Sequence, residues 1–96
     1  MEYFQNLKEK LKIKQDIYEI YKLRELNLYS NQLTKIPKEI GYLINLQELN
    51  LGYNKITEIP KEIKQLTTLR ELNLRHNQIT KIPKEIRDIK GLTIYD

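Results

Sequence analysis

The 96-residue chain contains no cysteine and no tryptophan. Without cysteine it cannot form disulfides or thiolate metal sites, and a reducing compartment is compatible with the sequence. It also lacks an apolar run long enough to cross a bilayer. The N-terminus has no basic segment followed by an apolar one, which would mark a signal peptide. We therefore expect a soluble cytoplasmic protein that does not use membrane as a partner.

Residues suited to catalysis or to holding a cofactor are also scarce. The three glycines form no Gly-rich phosphate loop. His76 is the only histidine, and with scattered carboxylates around it a transition-metal site cannot be assembled. Glu25 and Glu48 form a carboxylate pair, but nothing in the sequence indicates a cleft around them. The sequence therefore predicts no catalytic residue, no metal, no cofactor and no small-molecule substrate.

What the chain does contain is a unit that recurs at a constant interval. The segment Leu23–Leu28 (LRELNL) returns nearly unchanged at Leu46–Leu51 and again at Leu69–Leu74. A second segment, Ile-Pro-Lys-Glu-Ile, starts at Ile36, Ile59 and Ile82. A fixed period of this length predicts stacked repeats, which offer a surface rather than a pocket. Binding is therefore the first hypothesis for function.

Each unit carries two hydrophobic periods when its residues are numbered from its first leucine. Positions 4 and 6 are apolar, which is typical of a strand with one buried face. Apolar positions 14, 18 and 21 are typical of a short helix with one buried face. The proline at position 15 is expected to be the first helical residue. An asparagine at position 9 (Asn31, Asn54 or Asn77) is expected to be buried and bonded to backbone groups of its own and adjacent units.

The frame Leu-x-x-Leu-x-Leu-x-x-Asn-x-Leu/Ile resembles the leucine-rich repeat. The 23-residue unit with Ile-Pro-x-Glu-Ile looks like the intracellular subclass of Ras-signalling scaffolds and bacterial repeat proteins. The resemblance covers three units, 23–45, 46–68 and 69–91. It implies an α/β solenoid with a parallel sheet on the concave face and short helices on the convex face. It also implies a role in protein binding.

Both ends of the repeat array need covering, because end units expose apolar surface. Residues 1–22 are predicted to be an N-terminal helical cap, with 3–21 largely helical; a membrane-surface or partner-binding helix is the alternative. Residues 92–96 start a fourth strand, in which Tyr95 is expected to take the inward position 4. This terminal strand stub either closes the stack, continues into a larger scaffold, or pairs through its open edge with another copy.

The candidate partner-binding residues lie at positions 3, 5, 7 and 8, which are expected to face away from the core. They are Glu25, Glu48 and Glu71 at position 3, Asn27, Asn50 and Asn73 at position 5, Tyr29 and Arg75 at position 7, and Tyr53 and His76 at position 8. Tyrosine and arginine are enriched at interface hot spots. The glutamates either form a solvated strand face or accept a basic peptide segment. Arg24 and Arg70, at position 2, can relieve their mutual repulsion.

The interpretation that follows is a non-catalytic protein–protein interaction module that binds a protein or peptide on its concave strand face. The alternative is a structural or self-associating repeat fragment of a larger scaffold. Nucleic acid is disfavoured as a partner, because each repeated lysine at position 16 is followed by a glutamate that cancels the field a phosphate backbone needs. The sequence does not identify the partner, the source or the oligomeric state.

Overall fold

The computed structural model describes residues 8–10, which are helical, and residues 17–96. Short strands alternate along the chain with single helical turns. The elements are the helix Ile17–Tyr21, strand β1 (Glu25–Asn27), the 3-10 helix Lys38–Tyr42, β2 (Glu48–Asn50), the 3-10 helix Lys61–Gln65, β3 (Glu71–Asn73), the helix Lys84–Arg87 and β4 (Thr93–Tyr95).

The strands form one parallel sheet in the order β1-β2-β3-β4. Equivalent positions of successive units lie side by side in it. Glu25 pairs with Glu48 and Glu48 with Glu71, each one repeat period further along the chain. Parallel strands require a crossover, and the helical turns supply it. The predicted α/β solenoid with a parallel sheet is therefore confirmed.

The core lies between the sheet and the helical turns. The middle residue of each of the first three strands is buried (Leu26, Leu49 and Leu72). The repeat has seven apolar positions, 1, 4, 6, 11, 14, 18 and 21, and in the middle unit all of them are buried: Leu46, Leu49, Leu51, Ile56, Ile59, Ile63 and Leu66. The outer units each leave two such positions half-buried: Leu23, Leu33, Ile79 and Ile89. The difference follows from stacking, because only the middle unit is covered by a repeat unit on both sides.

The repeated prolines lie just before the helical turns, one residue earlier than predicted. Pro37 is extended, with φ −65° and ψ 148°, and its carbonyl accepts the first helical hydrogen bond from the Ile40 N–H at 3.1 Å. Pro60 does the same for Ile63 at 3.2 Å. Proline therefore keeps the chain extended up to the turn and supplies the carbonyl that begins it.

The register of β4 differs from the prediction. Leu72 pairs with Ile94 and Asn73 with Tyr95, so the last strand is paired one residue earlier than the repeat period requires. The expectation that Tyr95 takes the inward position 4 is therefore wrong, and Ile94 takes it. A one-residue slip moves every side chain of a strand to the other face. The slip places the apolar isoleucine inward and the amphipathic tyrosine on the concave face.

At the N-terminal end, Ile20 is completely buried in the same core. The side-chain amide of Asn45 donates to the carbonyl of Tyr21 at 3.2 Å, which ties this helix to the first unit. Residues 1–7 and 11–16 lie outside the described part, so the helical cap over 1–22 stays a prediction. Within residues 8–10 and 17–96, no helix has the length and apolar character needed to span a membrane.

Candidate functional site

The ten predicted site residues come from the strands and from the turn that follows each strand. In β1, the side chains of Glu25 and Asn27 are exposed on either side of buried Leu26. The same alternation is present in β2 and β3, apart from Asn50 and Asn73, which are half-buried. Because the strands are parallel and in register, each position forms a row across the sheet.

The acidic row consists of Glu25, Glu48 and Glu71, which neighbour one another in register. Hydrogen bonding with Glu71 and with Glu25, followed by the repulsion of the Glu25 charge, raises the pKa of Glu48 above its ordinary value of 4.5. Arg24 and Arg70 were expected to relieve this repulsion. Within residues 8–10 and 17–96, however, neither arginine forms an ion pair with the acidic row.

The asparagine row consists of Asn27, Asn50 and Asn73. Each side-chain oxygen accepts the backbone N–H two residues further on, at 3.0 Å in all three units. The amide of Asn73 also donates to the side-chain oxygen of Asn50 at 3.1 Å. These side chains therefore shape the end of each strand and set the direction of the residues that follow.

The turn after each strand has a left-handed residue at position 8. The φ values are +56° for Ser30, +55° for Tyr53 and +59° for His76, a region that residues other than glycine rarely adopt. The first two turns are also bonded to the next unit. The N–H of Ser30 donates to the carbonyl of Gly52, and the N–H of Tyr53 donates to the carbonyl of Arg75, both at 2.9 Å. The neighbouring unit therefore holds a strained backbone that fixes where these side chains project.

The aromatic row consists of Tyr29, Tyr53 and His76. The rings of Tyr29 and Tyr53 are 5.1 Å apart and tilted by 54°, while those of Tyr53 and His76 are stacked at 4.0 Å. About half of each tyrosine stays exposed, 47% and 50%. The sequence placed these residues at two different positions of the repeat, so a continuous row was not predicted.

Gly52 lies beneath the aromatic row, where a larger residue would crowd it. A β-carbon at this position would lie 3.3 Å from the ring of Tyr29 and 3.2 Å from the side chains of Asn50 and Asn73. The missing side chain leaves space for the Tyr29 ring to lean across the second unit toward Tyr53. The sequence held one sign of this close packing: position 7 is Gly52 in the second unit, whereas it is Tyr29 and Arg75 in the other two.

Tyr95 joins the concave face and was missed in the sequence analysis. The guanidinium of Arg75 lies over its ring, 5.2 Å from the centroid, which is a cation–π contact. The alternation of apolar and polar residues in Thr93–Tyr95 could have revealed this, because it favours Ile94 as the inward residue. A hollow of about 380 Å³ lies beside the pair. It is lined by Glu48, Leu49, Asn50, Glu71, Asn73, Arg75 and Tyr95.

A second set of asparagines, at position 9, holds the units together behind this surface. The oxygen of buried Asn54 accepts the N–H groups of Asn31 and Leu33 at 3.0 and 2.9 Å. Its amide donates to the carbonyls of Leu28, Leu51 and Gly52. Asn77 is half-buried and bonds backbone groups of its own and the preceding unit in the same way.

The predicted bonding is confirmed for Asn54 and Asn77. For Asn31 the prediction is wrong, because this residue is exposed and its side-chain amide bonds the carbonyl of Tyr29 in its own turn, at 3.2 Å. Among the described residues, the Asn31 side chain bonds its own unit alone, whereas Asn54 and Asn77 each bond the preceding unit as well.

In the part of the chain that the structure describes, no three His, Asp or Glu side chains could together hold a metal ion. What the surface offers is rings that stack, carboxylates that accept hydrogen bonds, and one exposed guanidinium. These groups suit noncovalent contact with another molecule.

Parallel strands stacked at the repeat period, with helical turns behind them and asparagines bonding one unit to the next, define a solenoid repeat protein. The family profile described as leucine rich repeat matches residues 21–79. The chain therefore belongs to the leucine-rich repeat family. Proteins of this family generally act as non-enzymatic interaction scaffolds.

Solved structures agree with this assignment. A leucine-rich repeat protein of Leptospira interrogans is 45% identical, with a TM-score of 0.76 over 85% of this chain. The chain spans only 21% of the length of that protein. An internalin of Listeria monocytogenes is 24% identical with a TM-score of 0.69, and covers 96% of this chain and 28% of its own. Internalin C2 of the same organism is 19% identical, with a TM-score of 0.53 over 97% of this chain and 52% of its own.

These two internalins show likeness of fold alone. No curated protein sequence gives a significant match.

Proposed function

We propose that the concave face is a binding surface for a protein or peptide partner, with no chemistry performed on it. The observation that carries the proposal is the aromatic row, in which three ring side chains from successive units contact one another and yet stay exposed. Exposed aromatic rings supply large contact area with few rotatable bonds, which is why tyrosine is enriched at interfaces.

The backbone beneath these rings supports the same role. The asparagine row and the bonds between turns fix positions 7 and 8 before any partner arrives. Binding to such a surface requires little further ordering of this chain, so more of the contact energy remains as affinity. Tyr29, Tyr53 and Arg75 are the side chains that we expect to act as anchors, with His76 beside them.

The test uses a library of random 12-residue peptides displayed on phage, selected on the full chain. Selected peptides are then measured by fluorescence anisotropy against a concave variant, Tyr29→Ala/Tyr53→Ala/Arg75→Ala. A matched control, Tyr21→Ala/Tyr42→Ala/Arg87→Ala, removes the same residue types from the helices. We expect affinity for the concave variant to fall at least about tenfold, because hot-spot truncations cost more than about 1 kcal/mol each. The control should bind as the wild type does, and circular dichroism should show all three chains folded.

Peptides that bind the folded concave variant as tightly as the wild type would overturn the proposal. So would a failure to select any peptide that distinguishes the concave variant from the control.

Self-association is a second candidate, supported by one observation at the C-terminal end. Leu92 and Ile94 are half-buried, whereas their counterparts Leu69 and Leu72 are completely covered. Within the described residues, β4 pairs with β3 only. A second copy packed on this end would cover both side chains and the free strand edge. Light scattering over a hundredfold range of concentration tests it, since a constant monomer mass excludes the candidate.

A further inference from the structure

The concave face also indicates what kind of partner it accepts. We propose that the hollow beside Tyr95 receives an arginine side chain from an extended segment of the partner, with Glu48 and Glu71 as its acceptors. This inference rests on the proposed function, because it names the partner chemistry for the same surface.

The shape of the hollow follows from the sheet. Glu48 and Glu71 stand at the same position of neighbouring strands, so their backbones are about 4.8 Å apart. Asn50 and Asn73 follow two residues later on the same face, and Tyr95 closes the side formed by β4. A volume of about 380 Å³ is ample for one guanidinium and its methylene stem.

The charges in the hollow favour a cation. The carboxylates of the acidic row are close enough to raise the pKa of Glu48, and an inserted positive charge would remove this repulsion. Within the described residues, neither Arg24 nor Arg70, which precede glutamates by one residue, forms an ion pair with the acidic row. Arg75 also lines the hollow, where its guanidinium lies over the ring of Tyr95, so the two carboxylates outnumber the one positive charge.

Arginine fits this arrangement better than lysine. Its planar fork can donate to two carboxylates at once, whereas an ammonium acts as a point charge. The aromatic side of this hollow already holds one guanidinium, that of Arg75 over Tyr95, and such contacts are made more often by arginine than by lysine. A partner that presents arginine to the hollow and apolar or aromatic groups along the aromatic row would use both parts of the face.

The experiment starts from the peptides selected on the full chain. Each arginine in turn is replaced by citrulline, which has nearly the same shape without the charge, and separately by lysine. The chain itself is tested as Glu48→Gln/Glu71→Gln, with Glu58→Gln/Glu85→Gln as a control that removes the same two charges from exposed positions outside the strands. Affinities are measured by fluorescence anisotropy at low and at moderate salt.

We expect one arginine per peptide whose change to citrulline weakens binding at least about tenfold, as does the Glu48→Gln/Glu71→Gln variant. Combining the two changes should add little, because both remove the same contact. Lysine should recover only part of the loss.

Peptides that need the aromatic row but tolerate citrulline would overturn this inference and leave the proposed function standing. The inference also fails if the Glu58→Gln/Glu85→Gln control weakens binding equally, or if lysine matches arginine. If no selected peptide depends on the concave face, the inference and the proposed function fall together.

Discussion

The imidazole of His76 stacks on the phenol ring of Tyr53, with ring centroids 4.0 Å apart and planes inclined by 26°. The two residues occupy the same place in successive units. The contact therefore couples two repeats on the side that faces solvent, away from the aliphatic core. It also keeps both rings in a fixed orientation on the concave face.

The first prediction concerns this stack. A double-mutant cycle of Tyr53→Ala and His76→Ala should give a coupling energy of about 0.5–1.5 kcal/mol, because aromatic pairs contribute this much beyond area burial. The cost of the left-handed backbone is similar for both alanines and cancels in the cycle. Urea unfolding followed by circular dichroism measures it. A second cycle with Tyr42→Ala and His76→Ala is the control, and its two changes in unfolding free energy should be additive. A coupling energy between Tyr53 and His76 no larger than that of the control would contradict the stacking interaction.

The second prediction concerns the position 9 asparagines. Asn54→Ala should lower the free energy of unfolding by about 3 kcal/mol or more, because it leaves several backbone groups without partners. Asn31→Ala removes one bond at an exposed position and should cost less than about 1 kcal/mol. Chemical denaturation of both variants tests the contrast. Equal losses of unfolding free energy would mean that the hydrogen bonds of Asn54 between units do not stabilise the stack as the geometry indicates.

The third prediction concerns pH. The pKa of Glu48 is raised in the folded chain, so the folded state binds more protons than the unfolded state between the ordinary pKa and the raised one. The free energy of unfolding should therefore fall as the pH rises from the ordinary pKa to the raised one. Above the raised pKa, Glu48 is fully charged and the repulsion within the acidic row is fully present. Glu48→Gln should melt at a higher temperature than the wild type at about pH 7, and this gain should disappear below the ordinary pKa.

Thermal melts followed by circular dichroism at several pH values measure this difference. Glu85→Gln is the control, since this residue lies outside the acidic row. A Glu48→Gln variant that melts below the wild type at neutral pH would contradict crowding within the acidic row as the origin of the pKa shift.

The fourth prediction tests the register of β4. Ile94→Ala should lower the free energy of unfolding by about 1–2 kcal/mol, because the side chain is half-buried against the core. Thr93→Ala, at an exposed neighbouring position, should change it by less than about 0.5 kcal/mol. Urea titrations compare them. If Tyr95 were the inward residue, Ile94→Ala would be nearly neutral instead.

Several features of the site needed the structure. The sequence placed Tyr29, Tyr53 and His76 on the concave face, but only the packed units show that their rings meet, with the Tyr29 ring packed close over Gly52. The inward place of Ile94 likewise depends on how β4 docks on β3. Asn31 and Asn54 have the same place in the repeat, yet only Asn54 is buried, with its side chain bonded to the backbone of the first unit.

The sequence by itself determined the repeating strand and helical turn, the buried aliphatic positions and the face that stays polar. These features could be predicted because the two-residue period of a strand and the three- to four-residue period of a helical turn are visible within short segments of sequence. Both patterns then recur in every repeat unit. The tertiary structure decided which side chains of different units touch, including the aromatic row, the crowded carboxylates and the cation over Tyr95. Those contacts join residues about 20 or more positions apart, so they depend on the exact register and spacing of stacked units, which no local pattern records.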